Sequence, residues 1–128
     1  MNGRLTTSLE VEQKIIELQK LMKLSTKASV MRIALGLSLK SQTDPRIEYP
    51  EKENDHGGAT YQRITITGEY DELYKALLIE QIGKELKDNE IFPELFNSHI
   101  SRGVNVLYDE YQLKGSYDKV VDSIFGLL

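Results

Sequence analysis

The sequence predicts a mostly α-helical protein with two short strands. Apolar residues recur at helical spacing over several long segments, whereas only two short runs are typical of strands. Residues 28–39 are almost wholly apolar, with Arg32 as their single charge, and they are too few to span a bilayer. A helix that is apolar nearly all round is buried on more than one side. We therefore expect this helix at the centre of the protein, with a partner for Arg32.

The composition restricts the class of protein. A chain of 128 residues with 40% hydrophobic and 28% charged residues is typical of a single globular domain. The absence of cysteine excludes disulfides, thiolate metal sites and thiol catalysis. The first residues contain no apolar signal core, and no run of 18 apolar residues occurs. We expect a cytoplasmic protein that does not span a membrane.

The charge is distributed unevenly along the chain. Residues 1–40 hold seven cations and three acids, a balance of +4, whereas residues 41–128 hold nine cations and seventeen acids, a balance of −8. Such asymmetry permits a local anion-binding face on a protein whose net charge is −4. An ordinary solvated helix surface explains the same lysines equally well.

The first 40 residues predict a strand followed by two helices. Residues 4–7 form the strand, Ser8 caps a helix over 9–23, and Ser25-Thr26 caps a second helix over 27–39. One face of the first helix carries Val11, Ile15, Leu18 and Met22, widened by Ile16 and Leu24. This order matches the ribbon-helix-helix unit, in which two chains pair their strands and interlock their helices.

Residues 41–67 predict a long loop and then the second strand. Pro45 and Pro50 oppose helix, and Gly57-Gly58 marks a turn, so residues 41–60 are expected to be a loop. Residues 61–67 alternate in the manner of a strand that Gly68 ends.

Further helices follow the second strand. Acids at Glu69, Asp71 and Glu72 open a third helix, which Asp88-Asn89 ends. Its apolar stripe consists of Tyr70, Leu73, Tyr74, Leu77, Leu78, Ile82 and Leu86. A fourth helix is predicted from Leu95, Phe96, Ile100, Val104, Leu107, Tyr108 and Tyr111, and a last short helix after Ser116. Glycines inside helices cost up to about 1 kcal/mol each, so Gly36 and Gly103 predict close approaches of neighbouring helices.

Three segments carry a family resemblance. Residues 32–39 are similar to an Arg-Ile-Ala-x-x-x-Ser-Leu run, residues 63–71 to an Arg-x-Thr-Leu-x-Gly-Glu segment, and residues 99–103 to a His-Ile-x-Arg-Gly motif. Together, and in this order, they resemble the DndE family, the small component of the bacterial DNA phosphorothioation (dnd) system. The resemblance covers about residues 3–112. Tyr61-Gln62 stands where the family has Phe-Asn, and the segment after Tyr111 has no counterpart.

The resemblance implies a role in DNA modification. Proteins of this family are non-catalytic partners of a sulfurtransferase-like protein and an ATPase, which together replace a non-bridging phosphate oxygen of DNA with sulfur. It also implies a homo-oligomer, such as a tetramer, that binds duplex or nicked DNA. We therefore expect one DndE-like domain over residues 1–128, with a hairpin over 1–40, a loop over 41–60, and a strand and helices over 61–128. No catalytic residue, metal or cofactor is expected.

Contacts to DNA phosphates need only positioned cations and helix N–H groups. The candidate DNA-binding residues are Lys14, Lys20, Lys23, Lys27 and Arg32. For Arg32 the alternative is an ion pair with a buried acid such as Glu69 or Asp71.

Other charged or titratable residues have structural interpretations. Arg63 and Arg102 are expected in ion pairs, with Glu69 or Glu72 as plausible acceptors, although either arginine could also bind DNA. His56 follows two acids but lacks the spacing of a metal site, and His99 is expected to be a packed helix residue.

Two other functions remain open. The acidic segment after residue 40 could dock on a basic partner protein without any contact to DNA. Alternatively, the chain could be an independent ribbon-helix-helix regulator that reads base edges with Arg4, Thr6 and Thr7.

Overall fold

A computed structural model describes residues 3–50 and 56–114, together with Val121. The described chain is mostly helical with one two-stranded sheet. In chain order the elements are β1 (Arg4–Thr6), α1 (Leu9–Met22), α2 (Lys27–Ser38), α3 (Pro45–Glu48), β2 (Thr60–Gln62), α4 (Arg63–Thr67), α5 (Asp71–Ile82), α6 (Asp88–Glu90) and α7 (Phe96–Lys114). A 3₁₀ turn over Gly68–Tyr70 precedes α5, and a π turn over Ile91–Leu95 precedes α7.

The N-terminal helices form as their caps predict. The Ser8 hydroxyl accepts a hydrogen bond from the Val11 amide at 3.1 Å, and the Thr26 hydroxyl accepts one from the Ser29 amide at 3.1 Å. Lys23 ends α1 in the left-handed conformation, with φ of 55°. The predicted face of α1 is confirmed as buried, whereas Ile16 is partly exposed.

The two strands pair antiparallel within the chain. Arg4 lies opposite Gln62, Leu5 opposite Tyr61, and Thr6 opposite Thr60. The order strand, helix, helix is confirmed, and the ladder that the structure shows joins β1 to β2 of the same chain. Pairing of strands between two copies stays a prediction.

The helix α2 lies at the centre, as its apolar sequence predicts. Its most extensive contact is with α7. At this crossing Gly103 lies directly against the backbone of Ala34, where any β-carbon would overlap the Ala34 carbonyl, so the predicted close approach is confirmed. The same prediction for Gly36 is wrong, because Gly36 faces open space.

The predicted strand over 61–67 is too long. The ladder ends at Gln62, and one further backbone hydrogen bond joins the Arg63 amide to the Gly3 carbonyl at 2.9 Å. Arg63, Ile66 and Thr67 are buried, which is the spacing of a helix face. Tertiary burial of this face overrides the strand propensity of the isoleucines and threonines.

The predicted loop over 41–60 contains a helical turn. Pro45 occupies the first turn of α3, where a missing N–H costs nothing, and the Asp44 carboxylate caps it by accepting from the Arg46 amide at 2.9 Å. The expectation that Pro45 opposes helix formation is therefore wrong.

The predicted apolar stripe of the third helix is only partly buried. Among its residues in α5, Leu78 is fully buried, whereas Leu73 and Leu77 are exposed, as is Tyr70 in the preceding turn. The helix ends at Ile82 because Gly83 adopts φ of 78°, before the predicted Asp88-Asn89 break.

The fourth helix is confirmed as α7, which begins at Phe96 and passes through Gly103 without a break. The short helix predicted after Ser116 lies outside the described residues, apart from Val121, which is helical. Within the described part, no helix is both long and apolar enough to cross a membrane.

Candidate nucleic-acid interface

Lys20 and Lys23 are exposed where α1 ends, and we call this pair the cationic turn. The last carbonyl groups of a helix carry partial negative charge, which favours cations at this position. Within the described residues neither ammonium group makes a hydrogen bond or an ion pair. Both are therefore available to an anionic ligand.

The helix α2 begins directly after the cationic turn. Its first turn contains no acid, in contrast to the first turn of α1, which contains Glu10 and Glu12. The positive end of the α2 dipole therefore adds to the lysine charges without an acid in the first turn of α2 itself. This turn is the part of the N-terminal hairpin that best suits a phosphate group.

Lys27, in contrast, is engaged with a buried carboxylate. Its ammonium donates to Glu12 at 2.9 Å. The same carboxylate accepts from the Thr7 hydroxyl at 2.8 Å and from the Tyr61 hydroxyl at 2.8 and 2.9 Å. Burial raises the pKa of the Glu12 carboxyl, but these three hydrogen bonds outweigh it and hold the pKa below its usual range.

This cluster contains Tyr61, which stands where the resemblance predicted a phenylalanine. The Tyr61 hydroxyl, which a phenylalanine would lack, is one of the partners of Glu12. Burial and the bond to Glu12 raise the pKa of that hydroxyl. Of the three residues suggested for reading base edges, Thr7 is buried in the same cluster, the Thr6 hydroxyl bonds to that of Thr60 at 2.9 Å, and Arg4 is exposed.

Lys14 faces α7 and not the solvent. Its ammonium donates to Asn105 at 2.6 Å and to Glu10 at 3.1 Å, and it lies 5.1 Å from the centre of the Tyr108 ring. Lys14 therefore links α1 to α7, apart from the cationic turn.

Arg32 finds its partner in backbone carbonyls. It donates to Ile66 at 3.2 Å, to Thr65 at 3.4 Å, and to the Ser29 hydroxyl at 3.2 Å. The predicted ion pair with Glu69 or Asp71 is wrong, because the α4 carbonyls lie closer to this helix face and Asp71 is held by another arginine.

That arginine is Arg63, which is 3% exposed. It donates to Asp71 at 2.8 and 2.9 Å and to Asp88 at 2.8 Å through two further hydrogen bonds. Hydrogen bonds from Arg63 hold the pKa of Asp88 far below its usual range. The predicted ion pair is confirmed, but the predicted acceptors Glu69 and Glu72 are wrong, because α4 turns Arg63 towards the start of α5 and α6.

Arg102 and His99 share one hydroxyl of α2. Arg102 donates to Ser38 Oγ at 2.9 Å and to Thr43 at 2.9 and 3.0 Å, and lies 3.7 Å from Glu48. Ser38 Oγ, which accepts from Arg102, also forms a hydrogen bond with His99 Nδ1 at 2.7 Å. Burial, and then the charge of Arg102, lower the pKa of His99 to about 4.

The first of the three family-like segments therefore contacts both of the others. Arg32 of the first segment bonds to Thr65 and Ile66 of the second, while Ser38 bonds to His99 and Arg102 of the third. These residues build the framework of the fold, and the buried arginines are not exposed to a ligand. From the sequence, only Gly103, next to Arg102 in the third segment, indicated this packing, because a glycine inside a helix predicts a close approach of a neighbouring helix.

The structure thus separates the five candidate residues. Lys20 and Lys23 are exposed at the end of α1. Lys27 is joined to Glu12, Arg32 to the α4 carbonyls, and Lys14 to Asn105 and Glu10. Among the described residues, no group of three or more histidines and acids is arranged to hold a metal ion.

Together these features define a small, mostly helical protein with an exposed cationic turn on an otherwise acidic chain. The chain belongs to the DndE family, because the family model described as DNA sulphur modification protein DndE matches residues 4–115.

Two solved structures share the fold. The crystal structure of DndE from Escherichia coli B7A, described as involved in DNA phosphorothioation modification, has 20% identity and a TM-score of 0.64, covering 82% of this chain and 95% of its own. A DndE G21/24K mutant involved in DNA phosphorothioation has 17% identity and a TM-score of 0.60, covering 85% of this chain and 99% of its own. No curated protein matches the sequence.

Proposed function

We propose that this protein is an accessory, non-catalytic DNA-binding subunit of a DNA phosphorothioation complex. Membership of the DndE family supports the pathway. The observation that carries DNA binding is the cationic turn, where Lys20 and Lys23 are exposed beside the acid-free start of α2. Such a surface recognises backbone phosphates and is independent of base sequence.

In this role the protein holds DNA while its partners perform the chemistry. The partners are the sulfurtransferase-like and ATPase subunits of the dnd system, and the place of action is the cytoplasm. A homo-oligomer brings several cationic turns onto one duplex, which offsets the net charge of −4 on each chain.

The test is a DNA-binding titration with the full chain and the double variant Lys20→Glu/Lys23→Glu. We expect the wild-type affinity to fall steeply with salt because counterions are released, and the variant to lose binding. The matched control is Lys84→Glu/Lys87→Glu, which changes two exposed lysines of the acidic half by the same charge. A wild-type affinity independent of salt, or equal losses in both variants, contradicts the proposal.

The preferred form of DNA is tested in the same assay. Intact duplex, nicked duplex and single strands of one length are compared at one salt concentration. We expect both duplex forms to bind, because a rigid helix presents phosphates to several cationic turns at fixed spacing. Binding to single strands alone argues against this arrangement.

A second candidate function, docking of the partner proteins without DNA, is favoured by one surface. Tyr70, Leu73 and Leu77 are exposed on one side of the 3₁₀ turn and α5, with exposed acids at Glu72 and Glu80 beside them. Apolar side chains rimmed by acids suit a partner surface with basic residues.

The variant Leu73→Ser/Leu77→Ser separates the two functions. If α5 docks the partners, this variant loses co-purification with the sulfurtransferase-like and ATPase subunits while DNA binding is retained. Retained co-purification excludes this face as the docking surface.

A further inference from the structure

The helices α1 and α7 run side by side in the same direction, and both end near the cationic turn. The Lys14 ammonium donates to Asn105, 91 residues further along the chain, at 2.6 Å. Glu17 and Tyr108 are also 91 residues apart, and a hydrogen bond to Glu17 raises the pKa of the Tyr108 hydroxyl. At this constant offset Lys114, the last described residue of α7, lies level with the cationic turn. The chain that follows α7 therefore begins beside the cationic turn.

Exposed apolar side chains lie at the same end of both helices. Leu21 is 43% exposed and lies one helical turn beyond Glu17, on the side of α1 that faces α7. Leu113, in the last described turn of α7, is 78% exposed. Within the described part of the chain, Lys20 and Lys23 make no ion pair. This end of the molecule therefore offers two cations and exposed apolar surface to an acidic, amphipathic segment.

The sequence that follows α7 has this acidic and amphipathic character. A short helix is predicted after Ser116, and at helical spacing its apolar residues share one face; they are Val120, Val121, Ile124 and Phe125. Asp118 and Asp122 lie one turn apart beside that face. Val121, the member of this segment that the structure describes, is helical and partly buried. The DndE family model matches residues 4–115, so the segment lies beyond the matched part of the chain.

We propose that residues 116–128 dock on the cationic turn of their own chain and compete there with DNA, with the two aspartates on the lysines and the apolar face against Leu21. This inference rests on the proposed function, since it concerns the regulation of the same site. Because the segment is attached level with the cationic turn, its effective concentration there is on the order of millimolar. Exposed ion pairs are individually weak, so a duplex with many phosphates displaces the segment. The contact therefore weakens DNA binding without abolishing it.

The contact is tested without DNA by carbodiimide cross-linking of the full chain, which joins a lysine directly to a nearby carboxylate, followed by mass spectrometry. We expect the lysines of the cationic turn to link to Asp118 or Asp122, whereas the exposed control lysines Lys84 and Lys87 should not. An equal mixture of ¹⁴N- and ¹⁵N-labelled protein distinguishes links within one chain from links between two. Links of a single isotope support the proposal, and mixed-isotope links alone, or no links, overturn it.

Charge reversal tests whether the link depends on these two pairs of residues. The variant Lys20→Glu/Lys23→Glu should lose the cross-link. Adding Asp118→Lys/Asp122→Lys to it should restore the link with the roles of donor and acceptor exchanged. A combined variant that folds, as judged by circular dichroism, but shows no restored link contradicts the proposed pairing.

The effect on DNA is measured with Asp118→Asn/Asp122→Asn in the full chain. Loss of two exposed ion pairs should raise the DNA affinity about threefold. The matched control Glu85→Gln/Glu94→Gln removes the same charge from two exposed acids elsewhere and should raise it less. Equal increases in both variants overturn the competition.

The two failures are distinguishable. If the wild type binds DNA but the asparagine variant behaves like its control, this inference fails and the proposed function stands. If the cross-links form but neither protein binds DNA, the proposed function fails, and with it the competition.

Discussion

At the scale of single residues, buried polar groups are fixed by shared hydrogen-bond partners. Ser38 is the clearest example, since its hydroxyl joins Arg102 to His99 across the crossing of α2 and α7. His99 remains neutral there, because protonation would place a second buried positive charge beside Arg102. The cost of that charge makes the fold sensitive to mild acid.

The stability of the protein should fall between pH 7 and pH 5 because of His99. The pKa of His99 is about 4 in the folded protein, below its ordinary value of 6.5, so the unfolded chain takes up the proton first as the pH falls. The stabilisation is therefore complete above pH 6.5 and is lost as the pH falls towards 4. From these two values, wild type should lose about 2 kcal/mol between pH 7 and pH 5.

Urea denaturation of wild type and His99→Gln at both pH values measures this loss. The variant should lose much less, because its side chain does not titrate. The aspartates and glutamates are common to both proteins, so their contributions cancel. Parallel losses in the two proteins would contradict the role of His99.

Two helix glycines should respond oppositely to alanine. Gly103→Ala places a methyl group against the Ala34 carbonyl and should destabilise the protein by about 1–3 kcal/mol. Gly36→Ala meets no atom within 4 Å and should stabilise it by up to about 1 kcal/mol through helix propensity. Thermal unfolding of both variants checks the pair, and a stabilising Gly103→Ala would disprove the close approach.

At the scale of elements, the α1–α2 hairpin combines structural and available cations. Lys27 is the first residue of α2, just after the cationic turn, but its charge is committed to Glu12, which is buried with Thr7 and Tyr61. Lys20, Lys23 and Lys27 are all among the DNA-binding residues predicted from the sequence. The structure indicates that changing all three together would confuse the loss of a ligand contact with damage to the fold.

Single alanine variants should separate these roles. Lys27→Ala removes the cation from a buried carboxylate and should lower the free energy of unfolding by about 1–2 kcal/mol, reduced from a fully buried pair because Lys27 is partly exposed. Lys20→Ala should change stability by no more than about 0.5 kcal/mol. Chemical denaturation at neutral pH compares them, and equal effects would argue that the Lys27–Glu12 pair is unimportant.

At the scale of the whole molecule, an acidic chain must gather its cations to bind a polyanion. The N-terminal 40 residues carry +4 and the remainder −8. Exposed apolar residues on α1 and α7, including Leu9, Ile16 and Val106, offer surfaces for self-association. Assembly would bring several cationic turns together.

DNA affinity should therefore depend on assembly. The variant Ile16→Glu introduces a charge on the exposed side of α1, and we expect it to reduce both the sedimentation mass and the DNA affinity. Leu113→Glu introduces the same charge at an exposed position near the end of α7. It tests whether that end also contributes to self-association. A monomeric Ile16→Glu variant with undiminished DNA affinity would contradict the idea that several cationic turns must assemble to bind DNA.

The sequence by itself determined the class of fold and most helix positions. The helix caps at Ser8 and Thr26 can be predicted because capping depends only on neighbouring residues. The buried helix over 28–39 can be predicted because its residues are apolar nearly all round. The ordered family-like segments were sufficient to indicate the DndE family, which the family model confirms.

Only the tertiary structure decided the partners of the charged groups. Arg63 pairs with Asp71 and Asp88, and Lys27 pairs with Glu12. These pairs form because folding brings separate segments together, and spacing along the chain does not predict which segments meet. For the same reason residues 63–67 fold as a helix despite their strand propensity. Burial is a property of the folded chain, and it determines which lysines and arginines remain exposed and available to a ligand.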